Sequence, residues 1–456
     1  MKRRTFMRMG AGLPALARIG GGAGVAGMLG ALSLPGSAAA SDYRALVCVY
    51  MGGGNDGNNM LIPRDAAYGD YTKARPDLAL PKDSLASLEG VTNGHTFGLH
   101  TALAPLANLY NQKRLALVAN VGPLIVPTTA QQVRDGSVAL PPFLLSHSDQ
   151  ADMQQGWMGD ADASGWAGRS LELLPSSMHN ALSAVTMDNN RTLVLGRHSR
   201  VSFMTDGGPR WWGRADLSQP QTYWTQSINR MAQWQFTNDY EAEYARSFGG
   251  SINESTLLTQ AFAQAQAPQA DFGSGHLGSM LRSLASVLPV FKSMGYKRQV
   301  FFLSWGGFDT HAAQRGSAES SQDSQFDVMA KALTAFDTAN QAAGLNQDVT
   351  TFTMSDFGRT LRQSSGGGSD HAWGSHWLMM GGSVVGGQVL GKFPELVLGG
   401  VDDADRGGDG RFAPAVSTDQ FGATLMQWMG LPSSALVQAF PNLVNFSQKN
   451  LKFMTS

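Results

Sequence analysis

The feature that most constrains the fold of this chain is a regular alternation of short apolar runs with amphipathic stretches of helical period. The first run, residues 45–51 (ALVCVYM), is unbroken and rich in β-forming residues, which is typical of a strand buried on both faces. Similar runs predict further strands at residues 115–119, 300–304 and 349–354, and one more that starts near Leu378. Apolar side chains that recur every three or four positions predict helices around residues 103–110, 277–288 and 326–336. This alternation predicts an α/β fold with a mostly parallel central sheet and helices on both faces.

The N-terminus carries the pattern of a twin-arginine signal peptide, predicted over residues 1–40. Arg3 and Arg4 precede a weakly apolar stretch, and residues 38–40 (AAA) offer a small-residue cleavage site. A membrane anchor is the alternative, but Arg18 and many glycines interrupt the stretch, so no stable membrane span is expected in the mature form. The pattern predicts the twin-arginine translocase as a partner during export and a periplasmic or secreted location.

The mature chain, residues 41–456, is predicted to be a single domain. A helical insertion is predicted near residues 205–267, which are rich in Trp, Gln, Asn and Tyr and have little strand pattern. The net charge of −1 and the lack of a nucleic-acid motif exclude a nucleic-acid partner. The single cysteine, Cys48, lies inside the first apolar run and is expected to be a small buried side chain.

Carboxylates and imidazoles follow the predicted strands in several clusters. These residues are, in chain order, Asp56, Asp309, His311, Asp356 and, after a glycine-rich loop, Asp370, His371 and His376. A single Asp or His is weak support for a site because both are common in turns. Here, however, the carboxyl ends of parallel strands meet at one edge of the sheet, where ligands bind. Carboxylate and imidazole ligands suit borderline and hard cations, so the sequence predicts a divalent metal site, with zinc or manganese as the ion.

Five motifs give the chain a specific resemblance to a known family. They are LVCVYMGGGNDGNNMLIP (46–63), GGFDTH (306–311), SDFGRT (355–360), SDHAWGSHWLMMGGSVVGGQVLG (369–391) and STDQFGATLMQWMGLP (417–432). With these motifs the chain is identified as a member of the domain of unknown function 1501 family, within the alkaline phosphatase and sulfatase superfamily. The resemblance covers essentially the whole mature chain and implies an alkaline-phosphatase-like fold.

The resemblance also implies metal ligands. It implies that Asp56 binds one metal ion and that the pair Asp309 and His311 binds a second. Asp356 matches an Asp that the superfamily commonly pairs with a following His, but Phe357 stands at that position. The Asp and His residues of the following loop would then supply the missing ligand.

A nucleophile is implied as well, namely a Ser, Thr or modified Cys at a helix N-terminus. Ser146 and Ser148, in the motif SHSDQ, match best in chain order, and the sequence does not separate the two. The alternative is a helix N-cap, a position that Ser fills routinely. Arg359 is expected to contact a bound anion bidentately or, alternatively, to be a structural salt-bridge partner.

Two functions of different classes agree with these features. The first is an exported metal-dependent hydrolase that acts on phosphate or sulfate esters of a small molecule or a polymer. The second is a non-catalytic periplasmic binding or scaffold protein that retains the fold and part of the metal site. The retained carboxylates and histidines favour the first function, whereas Phe357 and the open choice of nucleophile favour the second. Assistance to a neighbouring exported protein is a third function.

Overall fold

The first apolar run forms the centre of a large sheet. The computed structural model describes residues 42–156, 162–189, 191–209 and 215–455. Strand β1 (Arg44–Gly52) lies between β9 (Arg298–Gly306) and β10 (Val349–Ser355) and runs parallel to both. These three strands match the predicted ones because each is rich in β-forming residues and is buried along most of its length.

The other strands complete the main sheet and two small ones. They are β2 (Leu61–Pro63), β3 (Ala86–Ser87), β4 (Phe97–Leu99), β5 (Leu115–Gly122), β6 (Ala184–Thr186), β7 (Ser202–Thr205), β8 (Gly208–Pro209), β11 (Arg359–Gln363), β12 (Ser369–His371), β13 (Ser375–Met380), β14 (Val389–Gly391) and β15 (Val416–Ser417). In the described residues the main sheet has the order β14-β5-β13-β10-β1-β9-β6-β7-β8, and β15 pairs with β5. Its pairs are parallel except those made by β13 and by β8, which confirms the predicted mostly parallel sheet.

Helices cover both faces of this sheet, as predicted. They are α1 (Gly57–Met60), α2 (Tyr68–Ala74), α3 (Ala104–Asn111), α4 (Ala130–Asp135), α5 (His147–Gln154), α6 (Trp166–Glu172), α7 (Tyr223–Met231), α8 (Asp239–Gln264), α9 (His276–Ser293), α10 (Gln322–Ala342), α11 (Thr418–Trp428) and α12 (Leu436–Ala439). Short 3₁₀ helices lie at Lys82–Ser84, Thr101–Leu103, Ser176–Met178, Thr192–Val194, Ser433–Ala435 and Pro441–Asn445.

The side chains of β1 alternate between two hydrophobic cores, one on each face of the sheet. Val47 and Val49 enter the core that α3, α9 and α10 cover, whereas Leu46 and Cys48 enter the core that α6, α11 and α12 cover. This alternation follows from the two-residue period of a strand. Cys48 is fully buried, as expected for a small apolar side chain in a central strand.

One strand prediction is wrong. Leu378 does not start a strand but lies near the end of β13, which begins at Ser375 and is antiparallel to both β10 and β5. The polar residues Ser375 and His376 are buried at the beginning of this strand, so the apolar pattern in the sequence starts later than the strand itself. Between β10 and β13 the chain forms the separate antiparallel hairpin of β11 and β12.

In the segment of residues 205–267, of which 205–209 and 215–267 are described, the structure has the helices α7 and α8. Helix α8 packs against α9, β7 and β8, at the end of the sheet formed by β8. The predicted signal peptide, residues 1–40, lies outside the described residues. Among the described residues, no helix is both long enough and apolar enough to cross a membrane.

The first turn of α11 carries a carboxyl group that makes stability depend on pH. Burial raises the pKa of Asp419 to about 6, although the charge of Arg169 and a backbone hydrogen bond from Asn442 act to lower it. In the unfolded chain an Asp titrates near pH ~3.9. The unfolded state therefore releases this proton at a lower pH than the folded state, and stability falls as the pH rises from about 4 to about 6.

The Asp419→Asn variant is expected to be more stable than the wild type by about 1–3 kcal/mol at pH 7 and equally stable at pH 4. Urea unfolding of both proteins at the two pH values measures this difference. Equal stabilities at pH 7 would contradict the raised pKa.

Candidate metal centre

The loops that follow β1, β9 and β10 meet at the carboxyl edge of the sheet. Gly53 has a φ of 114°, and a Cβ atom at this position would lie 2.5 Å from the backbone nitrogen of Asp309. Only glycine therefore lets the first two loops approach this closely. The Gly53 N–H also donates to the carboxylate of Asp356, at 3.2 and 3.1 Å from its two oxygens. The sheet edge thus brings together the two aspartates that follow β9 and β10, as the parallel topology predicts.

Three histidine side chains surround Asp309. Nε2 of His311 and Nε2 of His371 lie 3.0 Å apart, and their distances to Oδ1 of Asp309 are 3.0 and 3.3 Å. Nε2 of His147, the first residue of α5, lies 3.5 Å from Oδ2 of Asp309. The ligand atoms offered by His147, Asp309 and His371 all lie within 4.8 Å of one another. We call these four residues the metal cluster.

Each histidine of the metal cluster is anchored through its other ring nitrogen. Nδ1 of His147 lies 2.7 Å from Oδ2 of Asp356, and Nδ1 of His311 lies 2.8 Å from Oδ1 of Asp370. Nδ1 of His371 lies 2.8 Å from the carbonyl oxygen of Leu145. All three partners are acceptors, so in the neutral rings the proton is on Nδ1 and the lone pair is on Nε2. Metal-binding histidines are oriented by partners of this kind.

The metal cluster fits a cation. The ligand atoms of His147, Asp309 and His371 all lie within 4.8 Å of one another, which is close enough for the three residues to bind one cation. Zinc–nitrogen bonds of about 2.0–2.1 Å place two ligand atoms of a tetrahedral site about 3.3 Å apart. The separations of 3.0 to 3.3 Å among Nε2 of His311, Nε2 of His371 and Oδ1 of Asp309 agree with that value, and Nε2 of His147 lies 3.5 Å from the other oxygen of Asp309.

The electrostatics keep Asp309 and His371 in the forms that bind metal. Burial acts to raise the pKa of Asp309, but the hydrogen bond and charge of Arg359 outweigh it and lower this pKa. Burial lowers the pKa of His371, and the charges of His147 and Arg359 add to the effect. At neutral pH the carboxylate is therefore ionised and the His371 imidazole is neutral.

Arg359 makes one of the two kinds of contact that the sequence predicts. Its guanidinium is fully buried, and Nη1 lies 2.7 Å from Oδ1 of Asp309 and 3.2 Å from the carbonyl oxygen of Gly53. Its other nitrogens donate to the carbonyl and hydroxyl oxygens of Ser369. The sequence predicts a contact with a bound anion or a structural ion pair, and the structure gives the ion pair. Arg359 holds Asp309 in place.

Asp56 also has a different environment from the predicted one. Its Oδ2 lies 2.6 Å from Nη1 of Arg75, and both side chains are fully buried. Nε2 of Gln314 donates to the same oxygen at 2.6 Å, and the Asn58 N–H donates to Oδ1 at 3.0 Å. Among the described residues, the hydrogen bonds of this carboxylate involve no member of the metal cluster. The positive charge beside Asp56 is the guanidinium of Arg75, the residue that follows α2.

The remaining predicted metal residues surround the cluster or lie apart from it. Asp356 and Asp370 contact the Nδ1 atoms of His147 and His311 and so orient these rings, whereas the Nε2 atoms face Asp309. His376 is buried in the core, where its Nδ1 accepts a hydrogen bond from the Asn120 N–H at 3.0 Å and its ring stacks on Phe393. Burial lowers the pKa of His376 to about 4, so the ring is neutral there. Its position is explained by packing.

The two predicted nucleophiles flank the metal cluster. Ser146 is the N-cap of α5, but its hydroxyl makes no capping hydrogen bond and instead donates to Oδ2 of Asp149 at 2.5 Å. The Ser148 hydroxyl lies 3.2 Å from the same oxygen. Phe357, which stands where the superfamily has a His, packs against the rings of His147 and His371 at centroid distances of 4.7 and 4.5 Å.

His147 is the functional residue that the sequence did not single out. It lies between the two serines in the SHSDQ motif, where attention falls on the hydroxyl groups. The available signal is its position at a predicted helix start, in the segment that the resemblance places near the site. Its ring packs against Phe357, the residue that stands where the superfamily commonly has a His, although the two come from different parts of the chain.

The anchoring of His147 leads to a prediction about metal affinity. The Asp356→Ala variant is expected to bind zinc about 10- to 100-fold more weakly than the wild type, because His147 loses the carboxylate that fixes its tautomer and orientation. Competition with a chromophoric chelator measures the affinity. Asp149→Ala, on the same helix start, is the matched control and is expected to bind zinc as the wild type does. Unchanged affinity in Asp356→Ala would remove this carboxylate from the site.

Several solved structures are similar to this chain at low sequence identity. The structure of Ps i-CgsB in complex with k-i-k-neocarrahexaose is 10% identical, with a TM-score of 0.35 and coverage of 88% of this chain and 76% of that chain. The lipoteichoic acid synthase LtaP from Listeria monocytogenes is 10% identical, with a TM-score of 0.34 over 89% and 76%. The phosphonate monoester hydrolase SpPMH from Silicibacter pomeroyi is 10% identical, with a TM-score of 0.30 over 86% and 74%. No curated protein matches the chain in sequence.

A protein family, in contrast, matches almost the whole described chain. Residues 43–442 match the family described as "Protein of unknown function (DUF1501)". This span includes the main sheet, the four residues of the metal cluster and the groups that anchor its histidines. The chain therefore belongs to the DUF1501 family, as its five motifs predict.

Proposed function

We propose that this protein is an exported metal-dependent hydrolase of phosphate or sulfate esters. The observation that carries the proposal is the convergence of three anchored imidazole nitrogens on the carboxylate of Asp309. The side chains of Asp309 and His311 are 45% and 47% exposed, so an ester in solution has access to the metal cluster. Active sites of open parallel sheets lie at this carboxyl edge.

Zinc or manganese is the proposed ion. Three imidazole nitrogens and one carboxylate oxygen suit such borderline cations better than calcium or magnesium, which prefer oxygen ligands. When bound, an ion of this kind polarises an ester oxygen and activates a nucleophile. The chain's own residues prepare the site: Asp356 and Asp370 orient two rings, and Arg359 keeps Asp309 ionised and in position.

Ser146 and Ser148 are the proposed sources of the attacking oxygen, with water as the alternative. Both serines adjoin His147, and both hydroxyls lie within hydrogen-bond distance of the Asp149 carboxylate. A carboxylate so placed accepts the proton that a hydroxyl loses on attack. A chain with both serines replaced by alanine keeps full activity if water attacks and loses it if a serine does.

The test is hydrolysis of p-nitrophenyl phosphate and p-nitrophenyl sulfate by the purified chain. The zinc- or manganese-loaded chain is expected to release p-nitrophenol from one of these esters, and the chelator-treated chain is expected to release none. Asp309→Ala should abolish both metal binding and hydrolysis. His276→Ala, which changes an exposed histidine elsewhere, is the control. A fully loaded chain that cleaves neither ester would refute the proposed reaction.

A non-catalytic binding or scaffold protein is the second candidate, and one observation favours it. Asp56 is bound to Arg75 and Gln314, so it does not join the metal cluster to form a second metal position. A chain that binds one metal ion per molecule but hydrolyses no ester would support this candidate. Assistance to a neighbouring exported protein belongs to the same class.

Export through the twin-arginine translocase remains part of the proposal. It rests on Arg3, Arg4 and the AAA sequence at residues 38–40. Replacement of both arginines by lysine is expected to leave an uncleaved precursor in the cytoplasm, as a blot of fractionated cells would show. Mature protein in the periplasm of that variant would refute the route.

A further inference from the structure

Residues 223–244 expose seven large apolar side chains on α7, on the start of α8 and on the turn that joins these two helices, which pack against each other. These are Tyr223, Trp224, Met231, Trp234, Phe236, Tyr240 and Tyr244, which are between 39% and 89% exposed. In the described part of the chain, Phe143 is the one other large aromatic side chain with comparable exposure. Scattered apolar residues on a surface need no explanation, but a contiguous patch marks an interaction site. We call residues 223–244 the aromatic arm.

The aromatic arm is ordered by local signals, not by burial. Thr222 and Asn238 are the N-caps of α7 and α8, and both accept hydrogen bonds from backbone N–H groups of the following helix. Helix α7 has nine residues, of which Thr225 is the buried one. Isolated helices shorter than about 12–15 residues are marginal in water, so most helical stability comes from packing of an apolar face. The exposed face of α7 is therefore the part that a partner would cover.

The area of this surface agrees with a stable dimer. With about 200 Å² for each large side chain, the exposed fractions of the seven residues amount to roughly 800 Å². A standard specific interface buries about 800 Å² on each partner. Interface cores are also enriched in Trp, Tyr, Phe and Met, which are the residue types found here.

The charges of the aromatic arm favour a second copy of the same chain. Arg230 on α7 is exposed, as are Asp239, Glu241 and Glu243 at the start of α8, where Glu243 pairs with Arg246 of the same helix. A two-fold axis brings a patch against itself, so a patch that carries both signs can pair unlike charges across the axis. An anionic membrane surface, in contrast, attracts patches with an excess of Lys and Arg. The arm has more acidic than basic residues.

We propose that this protein forms a two-fold symmetric homodimer through the aromatic arm. Helix α8 connects the arm to β7, β8 and α9, at the end of the sheet formed by β8. The metal cluster follows β1, β9 and β10 and contains no residue of the arm. Dimerisation therefore leaves one metal cluster in each subunit, and the dimer does not depend on the proposed hydrolase activity.

Light scattering after size exclusion tests the dimer on the purified protein. The wild type is expected to have twice the mass of one chain. The double variant Trp234→Ser/Tyr240→Ser is expected to dissociate with a constant at least about tenfold higher, because central aromatic side chains carry much of the binding energy. Val91→Ser removes an exposed apolar side chain outside the arm and should leave the dimer unchanged.

Two further measurements keep the outcome clear. Both replaced side chains are exposed, so the near-UV circular dichroism spectrum outside the tryptophan bands and the zinc content of the double variant should match those of the wild type. A wild type that is monomeric at its highest soluble concentration would overturn the proposal, and so would a dimer that the double variant does not weaken. A monomer that binds vesicles of neutral lipid through Trp234 would overturn it in favour of a membrane surface.

Discussion

Replacement of His147 with alanine is expected to abolish the thermal stabilisation that zinc gives to the folded chain. The wild type should melt at a lower temperature after EDTA treatment and recover on addition of zinc or manganese, because a ligand that binds the folded state stabilises it by RT ln(1 + [L]/Kd). His147 brings one of the three imidazoles of the metal cluster, from a segment distant in sequence from the others. Its loss should therefore cost more affinity than the roughly 10- to 100-fold of an anchoring group.

The matched control for this prediction is His276→Ala. This histidine is exposed and pairs with Asp206, away from the metal cluster, so its variant should respond to EDTA and zinc as the wild type does. Melting curves and elemental analysis of both variants give the answer. If His147→Ala contained as much metal as the wild type, this histidine would be excluded as a ligand. Ser146 and Ser148 would then be the remaining candidate site residues of the SHSDQ motif.

The Asp56→Ala variant is expected to lose about 3–5 kcal/mol of stability while it keeps its metal. The loss follows from the buried ion pair with Arg75, since removal of one partner leaves an uncompensated charge in the interior. Gln314, which donates to the same carboxylate, also loses its acceptor. Urea unfolding in the presence of EDTA measures this loss without any contribution from metal.

A double variant separates the structural role of Asp56 from a metal-binding one. Asp56→Ala/Arg75→Met removes both charges, and it should regain a large part of the stability that the single variant loses. Zinc content should stay at one ion per chain in both variants. A folded Asp56→Ala chain that has lost its zinc would instead make Asp56 a ligand, as the family resemblance implies.

The sequence predicts the sheet well because the relevant signals are local. The runs of β-forming residues at 45–51, 300–304 and 349–354 each contain their own strand pattern, and their order along the chain implies parallel neighbours. The start of β13 was missed because Ser375 and His376 are polar and yet buried. Their burial depends on neighbouring strands, which a local pattern does not contain.

The site was predicted in part, for a related reason. Asp309, His311 and His371 lie together because each follows or belongs to a strand at one edge, and the sequence shows this spacing. The pairing of Asp56 with Arg75 is set by how α2 packs, and so a carboxylate with the expected position has a different partner. A sequence motif gives the position of a residue in the chain. The role of that residue depends on which charged groups the fold places beside it.

The anchoring of the three imidazoles has a consequence for when metal is acquired. The groups that hold the rings come from separate places: the loop before α5, the end of β10 and the strand β12. The ligands themselves extend from His147 to His371, so most of the chain must be in its final arrangement before they meet. In the unfolded chain only Asp309 and His311 are close in sequence, and two donors alone hold an ion weakly. Retention of metal is thus a readout of completed tertiary structure, and loss of metal should appear early in any partial unfolding that separates α5 from the sheet.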